Sequence, residues 1–138
     1  QLWTIEFLSK VTENLNSQGY LITYSSSAAV RKTLRNLGLE IFTIKPSFKN
    51  RTFWSQGTVA ISKFDKNKLK PNFNFEKLSL MEEEHLLTKA SIPYRDQDLN
   101  SSKDDIIRRR LDEQLFSNLL STNKWREKWG MTKLSVKS

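Results

Sequence analysis

Residues 19–38 read Gly19-Tyr20-Leu21-Ile22-Thr23-Tyr24-Ser25-Ser26-Ser27-Ala28-Ala29-Val30-Arg31-Lys32-Thr33-Leu34-Arg35-Asn36-Leu37-Gly38. Tyr20 to Tyr24 is a run of strand formers, and Ser25-Ser26-Ser27 offers cap oxygens to a helix carrying Val30, Leu34 and Leu37. Gly38 falls where that helix should stop. Upstream, Leu8, Val11 and Leu15 recur at three–four spacing, with Trp3 and Phe7 widening the stripe, so residues 2–17 read as an amphipathic helix ended by Gly19. Downstream, Leu39 to Ile44 reads as a strand stopped by Pro46, and Thr58 to Phe64 as a second with clear alternation. The loop between them, of about a dozen residues, predicts an antiparallel pair. Helix, strand, helix, strand, strand is the order of an open α/β sheet.

Beyond Phe64 the pattern changes. Asp65 to Lys77 is polar and basic, with Pro71 and several Asn, and reads as a linker. Ser79 with Glu82 three residues on is a capping-box signature for a helix through about Ala90. Pro93 to Ser102 reads as a connection, followed by a longer helix over 103–120 with Ile107, Leu111 and Leu115 on one stripe, beside Phe116, Leu119 and Leu120. Trp125 and Trp129 mark a last short helix. The expected organisation is an α/β part over 1–66, a linker over 67–78 and a helical extension over 79–138.

The whole chain has 138 residues, 23 Lys and Arg against 15 Asp and Glu, a net charge of +8 and 37% hydrophobic residues. Its length suits about one domain, and its clustered apolar residues suit a small core. With no cysteine, disulfide frameworks, thiolate metal sites and Cys nucleophiles are excluded. One histidine, His85, speaks against His-rich metal centres and a Ser–His–Asp triad. No apolar run nears a membrane span's roughly 20 residues and no signal-peptide pattern opens the chain, so the expectation is a soluble, cytoplasmic protein facing polyanions.

The basic charge is concentrated. Lys45, Lys49, Arg51, Lys63, Lys66, Lys68 and Lys70 stand against Asp65 alone between positions 45 and 70. Such a cluster attracts phosphate without reading sequence; a solvated basic loop is the plainer alternative. Phe48, Phe53 and Trp54 alternate with Lys49 and Arg51, which suits base stacking or packing against the sheet. Arg108-Arg109-Arg110 stands among Asp104, Asp105, Asp112 and Glu113 and reads as a salt-bridged helix face. Glu82-x-x-His85 has the spacing of half a carboxylate-bridged metal site but lacks its second copy, and reads as a solvent face. Trp125 and Trp129 are expected to pack on the domain with a basic outer face. Ser25-Ser26-Ser27 lies on the carboxyl edge of the sheet, where ligands of open α/β folds gather. No general base stands near it in sequence, so a nucleophilic Ser is not expected.

Leu2-Trp3-Thr4, Phe7-Leu8, Gly19-Tyr20-Leu21-Ile22-Thr23-Tyr24-Ser25 and Ala28-x-Val30-Arg31-x-x-Leu34-x-x-x-Gly38 resemble the C-terminal part of the bacterial methyltransferases that complete the aminomethyl-thiouridine modification at the tRNA wobble position. Glu82 to Asp96, with Arg108-Arg109, Glu113-Gln114 and Trp125-Arg126, resembles a C-terminal extension in one branch of those enzymes. The resemblance implies the C-terminal portion of a Rossmann-like methyltransferase sheet followed by a helical extension, with 20–25 as its fifth strand and 39–44 and 58–64 as its closing antiparallel pair. It implies S-adenosyl-L-methionine as donor and the aminomethyl group of a tRNA uridine as acceptor. The neutral amine would attack the sulfonium methyl in line, with positioning and desolvation supplying the rate. Tyr24 and Ser25 would wall the acceptor side; Arg31, Lys49 and Arg51 would hold tRNA phosphates.

Two departures bear on this. The basic loop reads Ser47-Phe48-Lys49-Asn50-Arg51 where the family carries glycines. The donor-binding glycine loop and the Asp-bearing motif that precede Leu-Trp-Thr are absent, so the expectation is a fragment inactive alone, whose unpaired sheet edge pairs with a second copy. The rival expectation is a non-catalytic, basic nucleic-acid-binding or interaction module.

Overall fold

Thr58 of the central strand faces Thr23 on one side and Thr43 on the other, and this register defines the sheet. The computed structural model describes residues 3–15, 19–45, 57–62 and 75–131. The elements are α1 (Ile5–Glu13), β1 (Tyr20–Thr23), α2 (Ala28–Asn36), β2 (Leu39–Ile44), β3 (Gly57–Ser62), β4 (Phe75–Lys77), α3 (Leu80–His85), a 3-10 turn (Lys89–Ser91), α4 (Lys103–Phe116) and α5 (Thr122–Lys128). The four strands run in the order β1-β3-β2-β4, and every pairing is antiparallel. The expected closing antiparallel pair is therefore present, and β1 lies beside β3.

Strand chemistry follows the pleat. Leu39, Ile41 and Thr43 of β2 point to one face and are buried, while Glu40, Phe42 and Ile44 alternate to the other. Ala60 and Leu21 join the same inner face, against which α1 and α2 deliver Leu8, Ala28, Val30 and Leu34. β3 is buried on both faces from Gly57 to Ile61, as a central strand should be. Gly38, at φ +95°, supplies the left-handed turn that ends α2.

Several expectations needed correction. α1 starts at Ile5, with the Thr4 hydroxyl accepting from the Phe7 amide, and ends at Glu13. The stretch read as a linker contains β4, which adds to β2 through Phe42, Thr43 and Ile44. Phe75 closes edge-on against Phe42, and Lys45 pairs with Glu76 at 2.9 Å. α3 keeps its capping box at Ser79 and Glu82 but stops at His85. The chain then pairs with Leu120: the Leu120 amide donates to Leu87 O, and the Lys89 amide to Leu120 O. A continued helix would consume those groups internally.

α4 ends at Phe116, four residues before the sequence reading ends it. Its inner face is also different. Ile106 is buried, and Arg110 and Gln114 turn inward to donate to the carbonyls of Ala90, Ile92 and Lys89. Leu111, Leu115 and Phe116 are exposed. Polar side chains that satisfy otherwise orphaned carbonyls have displaced the leucine stripe from the interior. The Arg triplet is a salt-bridged face only in part: Arg108 pairs with Asp105, Arg109 donates to Ser101, and Arg110 lies 4.4 Å over the Tyr94 ring.

Candidate functional site

The turn Tyr24–Ser27 joins the carboxyl end of β1 to the amino end of α2. Its backbone is held by short-range hydroxyl bonds: the Ser25 amide donates to Thr23 Oγ1, and the Ser27 amide to Ser25 Oγ. Ser27 occupies the N-cap of α2 but makes no side-chain capping bond, so the expected serine cap is not formed. Tyr24 is 94% exposed, an aromatic ring standing out from the sheet edge.

Behind the turn lies a buried polar network. Thr23, Thr58 and Thr43 form a row across β1, β3 and β2, each less than a tenth exposed. Thr58 donates to Ser25 O at 2.7 Å and accepts from Arg31 Nε at 2.8 Å. Arg31 also donates to Gly57 O at 2.9 Å, reaches Thr43 Oγ1 at 3.4 Å and meets Glu82 Oε2 at 2.6 Å. Glu82 Oε1 in turn accepts from the Ser79 amide and hydroxyl. Burial pulls the Arg31 guanidinium below its ordinary pKa, and Glu82 opposes that shift.

Arg31 is thus not a phosphate ligand on the surface. It is 1% exposed, with its fork donating to Thr58, Gly57, Thr43 and Glu82. An inner-face position at which neither neighbouring strand offers an apolar side chain draws in the guanidinium. The reading of Glu82-x-x-His85 as a solvent face also fails, because both residues are buried. His85 stacks on Trp125 with ring centroids 4.1 Å apart, and its pKa is pushed down to about 4, first by burial and then by Arg31 and Arg126. Among the described residues no cluster of metal-ligating side chains occurs. The expected packing of the two indoles is present: Trp125 is buried with its Nε1 donating to Met81 O, and Trp129 donates to Glu84. Lys49, Arg51, Phe48, Phe53 and Trp54 lie outside the described residues.

Sequence reasoning missed Thr43, Thr58 and the buried ion pair of Glu82 with Arg31. A signal existed for the first: Thr43 sits in phase with Leu39 and Ile41, a hydroxyl at an apolar position of the alternation.

Gly38, Gly57 and Gly130 do not cradle a nucleotide. A Cβ at Gly38 or Gly130 would meet open space, and one at Gly57 would lie 2.3 Å from Thr23 O, so Gly57 serves strand packing. These residues do not build a donor-binding loop for S-adenosyl-L-methionine. Among them no helix is long and apolar enough to cross a membrane.

Comparison with known proteins places this architecture. Residues 1–60 match the profile of a family described as S-adenosyl-L-methionine-dependent methyltransferase. The uncharacterized Methanocaldococcus jannaschii protein MJ0670 is 29% identical over 127 residues, spanning 90% of this chain and 33% of that protein. The crystal structure of MnmC2 from Aquifex aeolicus superposes with a TM-score of 0.66 at 30% identity, over 82% of this chain and 33% of that one. The chain thus spans about a third of the length of the relatives it matches. Over residues 1–60 its sequence is thus similar to that methyltransferase family, and over 82% of its length the chain resembles a part of the MnmC2 structure.

Proposed function

We propose that this chain is the C-terminal part of an S-adenosyl-L-methionine-dependent tRNA methyltransferase, acting on the aminomethyl group of a wobble uridine. The observation that carries the reading is the family match over 1–60 together with the exposed Tyr24 turn at the carboxyl end of β1. In open α/β folds that edge is where substrates lie. Tyr24 offers a flat ring for stacking, and Ser25 braces the turn from which it projects. Arg31 acts through Thr58 as a positioning residue for this turn; phosphate contacts fall to Lys49 and Arg51 of the basic loop. The donor is gripped by the part of the enzyme that this chain does not include. Among the described residues the outer edge of β1 pairs with no strand, and this edge, where Tyr20 and Ile22 are each 46% exposed, is the place for another strand, supplied by a second copy when the chain is alone.

The test is reconstitution. This chain is mixed with a polypeptide covering the remaining length of its relatives, and methyl transfer to tRNA bearing aminomethyl-thiouridine is followed. Transfer that needs both parts supports the reading. Salt-steep tRNA binding by this chain with no transfer in any mixture overturns it in favour of a non-catalytic binding module.

A further inference from the structure

One residue pins the Tyr24–Ser27 turn to the sheet. The Ser25 amide donates to Thr23 Oγ1 at 3.1 Å, its carbonyl accepts from Thr58 Oγ1 at 2.7 Å, and its hydroxyl accepts from the Ser27 amide. Thr23 and Thr58 face each other in the register of β1 and β3, so one rung of the sheet fixes both backbone groups of Ser25. Tyr24 stands between that rung and the pinned residue. Its ring is 94% exposed, so its direction is set by the backbone of the turn rather than by packing.

The bond from Thr58 to the turn is committed from further back. A threonine hydroxyl carries one hydrogen. Arg31 Nε only donates, and at 2.8 Å it fills an acceptor position of Thr58 Oγ1, which leaves the hydroxyl proton for Ser25 O. The rotation of the guanidinium is fixed in turn by Glu82, whose Oε2 takes Nη1 at 2.6 Å, and by Gly57 O, which takes Nη2 at 2.9 Å. Glu82 is itself oriented by Ser79, whose amide and hydroxyl both donate to Oε1. Arg31, Thr58 and Glu82 are all buried, so water does not compete within this series of bonds. A neighbouring ion pair joins the same two helices differently. Arg35 and Glu83 meet at 2.8 Å with side chains 36% and 44% exposed, and they do not enter the series.

We propose that Glu82 is a remote positioning residue for the Tyr24 turn, acting through Arg31 and Thr58 to hold the ring where a tRNA base meets it. The proposal rests on reading that turn as the substrate edge. It deepens the reading by adding α3, which lies beyond the residues 1–60 that match the methyltransferase family, to the parts that shape the edge. Without the carboxylate, the guanidinium loses the partner that fixes its rotation. Thr58 is then free to turn its proton elsewhere, and the Ser25 carbonyl is released.

The experiment compares this chain with Glu82→Gln, Thr58→Val, Thr58→Ser and Glu83→Gln by NMR, melting temperature and tRNA affinity at fixed salt. Glutamine has one acceptor oxygen and cannot serve both Arg31 and Ser79. Glu82→Gln and Thr58→Val should each move the Ser25 carbonyl resonance and speed hydrogen exchange at the Ser25 and Ser27 amides by about fivefold. Thr58→Ser, which keeps the hydroxyl, should restore both signals. Glu83→Gln breaks the Arg35 pair and should leave the turn as it is in the wild type. Glu82→Gln should weaken tRNA binding by about threefold, and should weaken it no further in a Tyr24→Ala background. Turn signals that stay in place in Glu82→Gln, or that move equally in Glu83→Gln, overturn the proposal. So does a loss of tRNA affinity that is the same with and without the Tyr24 ring, because Glu82 then braces the fold generally. A wild-type chain that binds no tRNA while the turn signals respond as expected supports the coupling and overturns the tRNA reading instead.

Discussion

Arg31 Nη1 lies 2.6 Å from Glu82 Oε2, tying α2 to α3 across 51 positions of chain, with side chains only 2% and 10% exposed. Removing one partner leaves the other charged and buried, which typically costs about 3–5 kcal/mol. Arg31→Met and Glu82→Leu should each lower stability in urea by that order. The double variant should fall short of their sum by more than about 1 kcal/mol, because neither charge is then stranded. Additive effects would show that the two side chains do not act as a pair.

His85 makes stability depend on pH. Its folded pKa is about 4, against an ordinary value near 6.5, because burial against Trp125 and the nearby Arg31 and Arg126 disfavour its charged form. The unfolded chain therefore binds a proton more readily. The stability this contributes is complete above pH 6.5 and is lost as pH falls toward 4, by up to about 3 kcal/mol. His85→Phe, which keeps a ring on Trp125, should flatten the urea midpoint over that window. Glu83 behaves separately: Arg35 holds its carboxyl below the ordinary range, so its contribution disappears only at still lower pH. A midpoint that falls equally in wild type and His85→Phe between pH 6.5 and 5 would assign the loss to other groups.

The sheet was legible because its strands carry local signals. Leu39–Ile44 alternates, Gly38 stops α2, and Ser79 and Glu82 announce a capped helix. What stayed hidden was settled by partners far away in sequence. β4 is three residues long with Glu76 and Lys77 exposed, so no periodicity marks it. The end of α3 depends on Leu120, and the inner face of α4 depends on carbonyls of residues 89–92 that accept from Arg110 and Gln114. Arg31 resembles any solvated helix cation until the threonine row beneath it is known. At the candidate site, Tyr24 and Ser25 could be placed from the strand-to-helix turn alone, whereas the network supporting them could not.

Gly57 is required by close packing. A Cβ there would sit 2.3 Å from Thr23 O and 3.1 Å from Tyr24 Cα, both backbone atoms that cannot swing aside. Gly57→Ala should push β1 away from β3 and cost on the order of 1–3 kcal/mol, the usual scale of overpacking. Because the displaced segment carries the Tyr24 turn, hydrogen exchange at residues 21–25 should rise more than at β2. A uniform rise over the whole sheet would place the strain elsewhere.

Tyr24 separates function from folding. At 94% exposure its ring makes little contact with the body of the protein, so Tyr24→Ala should change stability by no more than about 0.5 kcal/mol. If the ring stacks on a tRNA base, its loss removes about 1–3 kcal/mol of binding, a 5- to 150-fold weakening. Tyr24→Phe keeps the stacking surface and should bind nearly as the wild type does. The measurement is tRNA affinity at fixed salt for the three proteins, alongside urea midpoints to confirm equal folding. Equal affinity in all three would remove Tyr24 from the substrate surface, since an aromatic side chain this exposed has no other packing role to explain it.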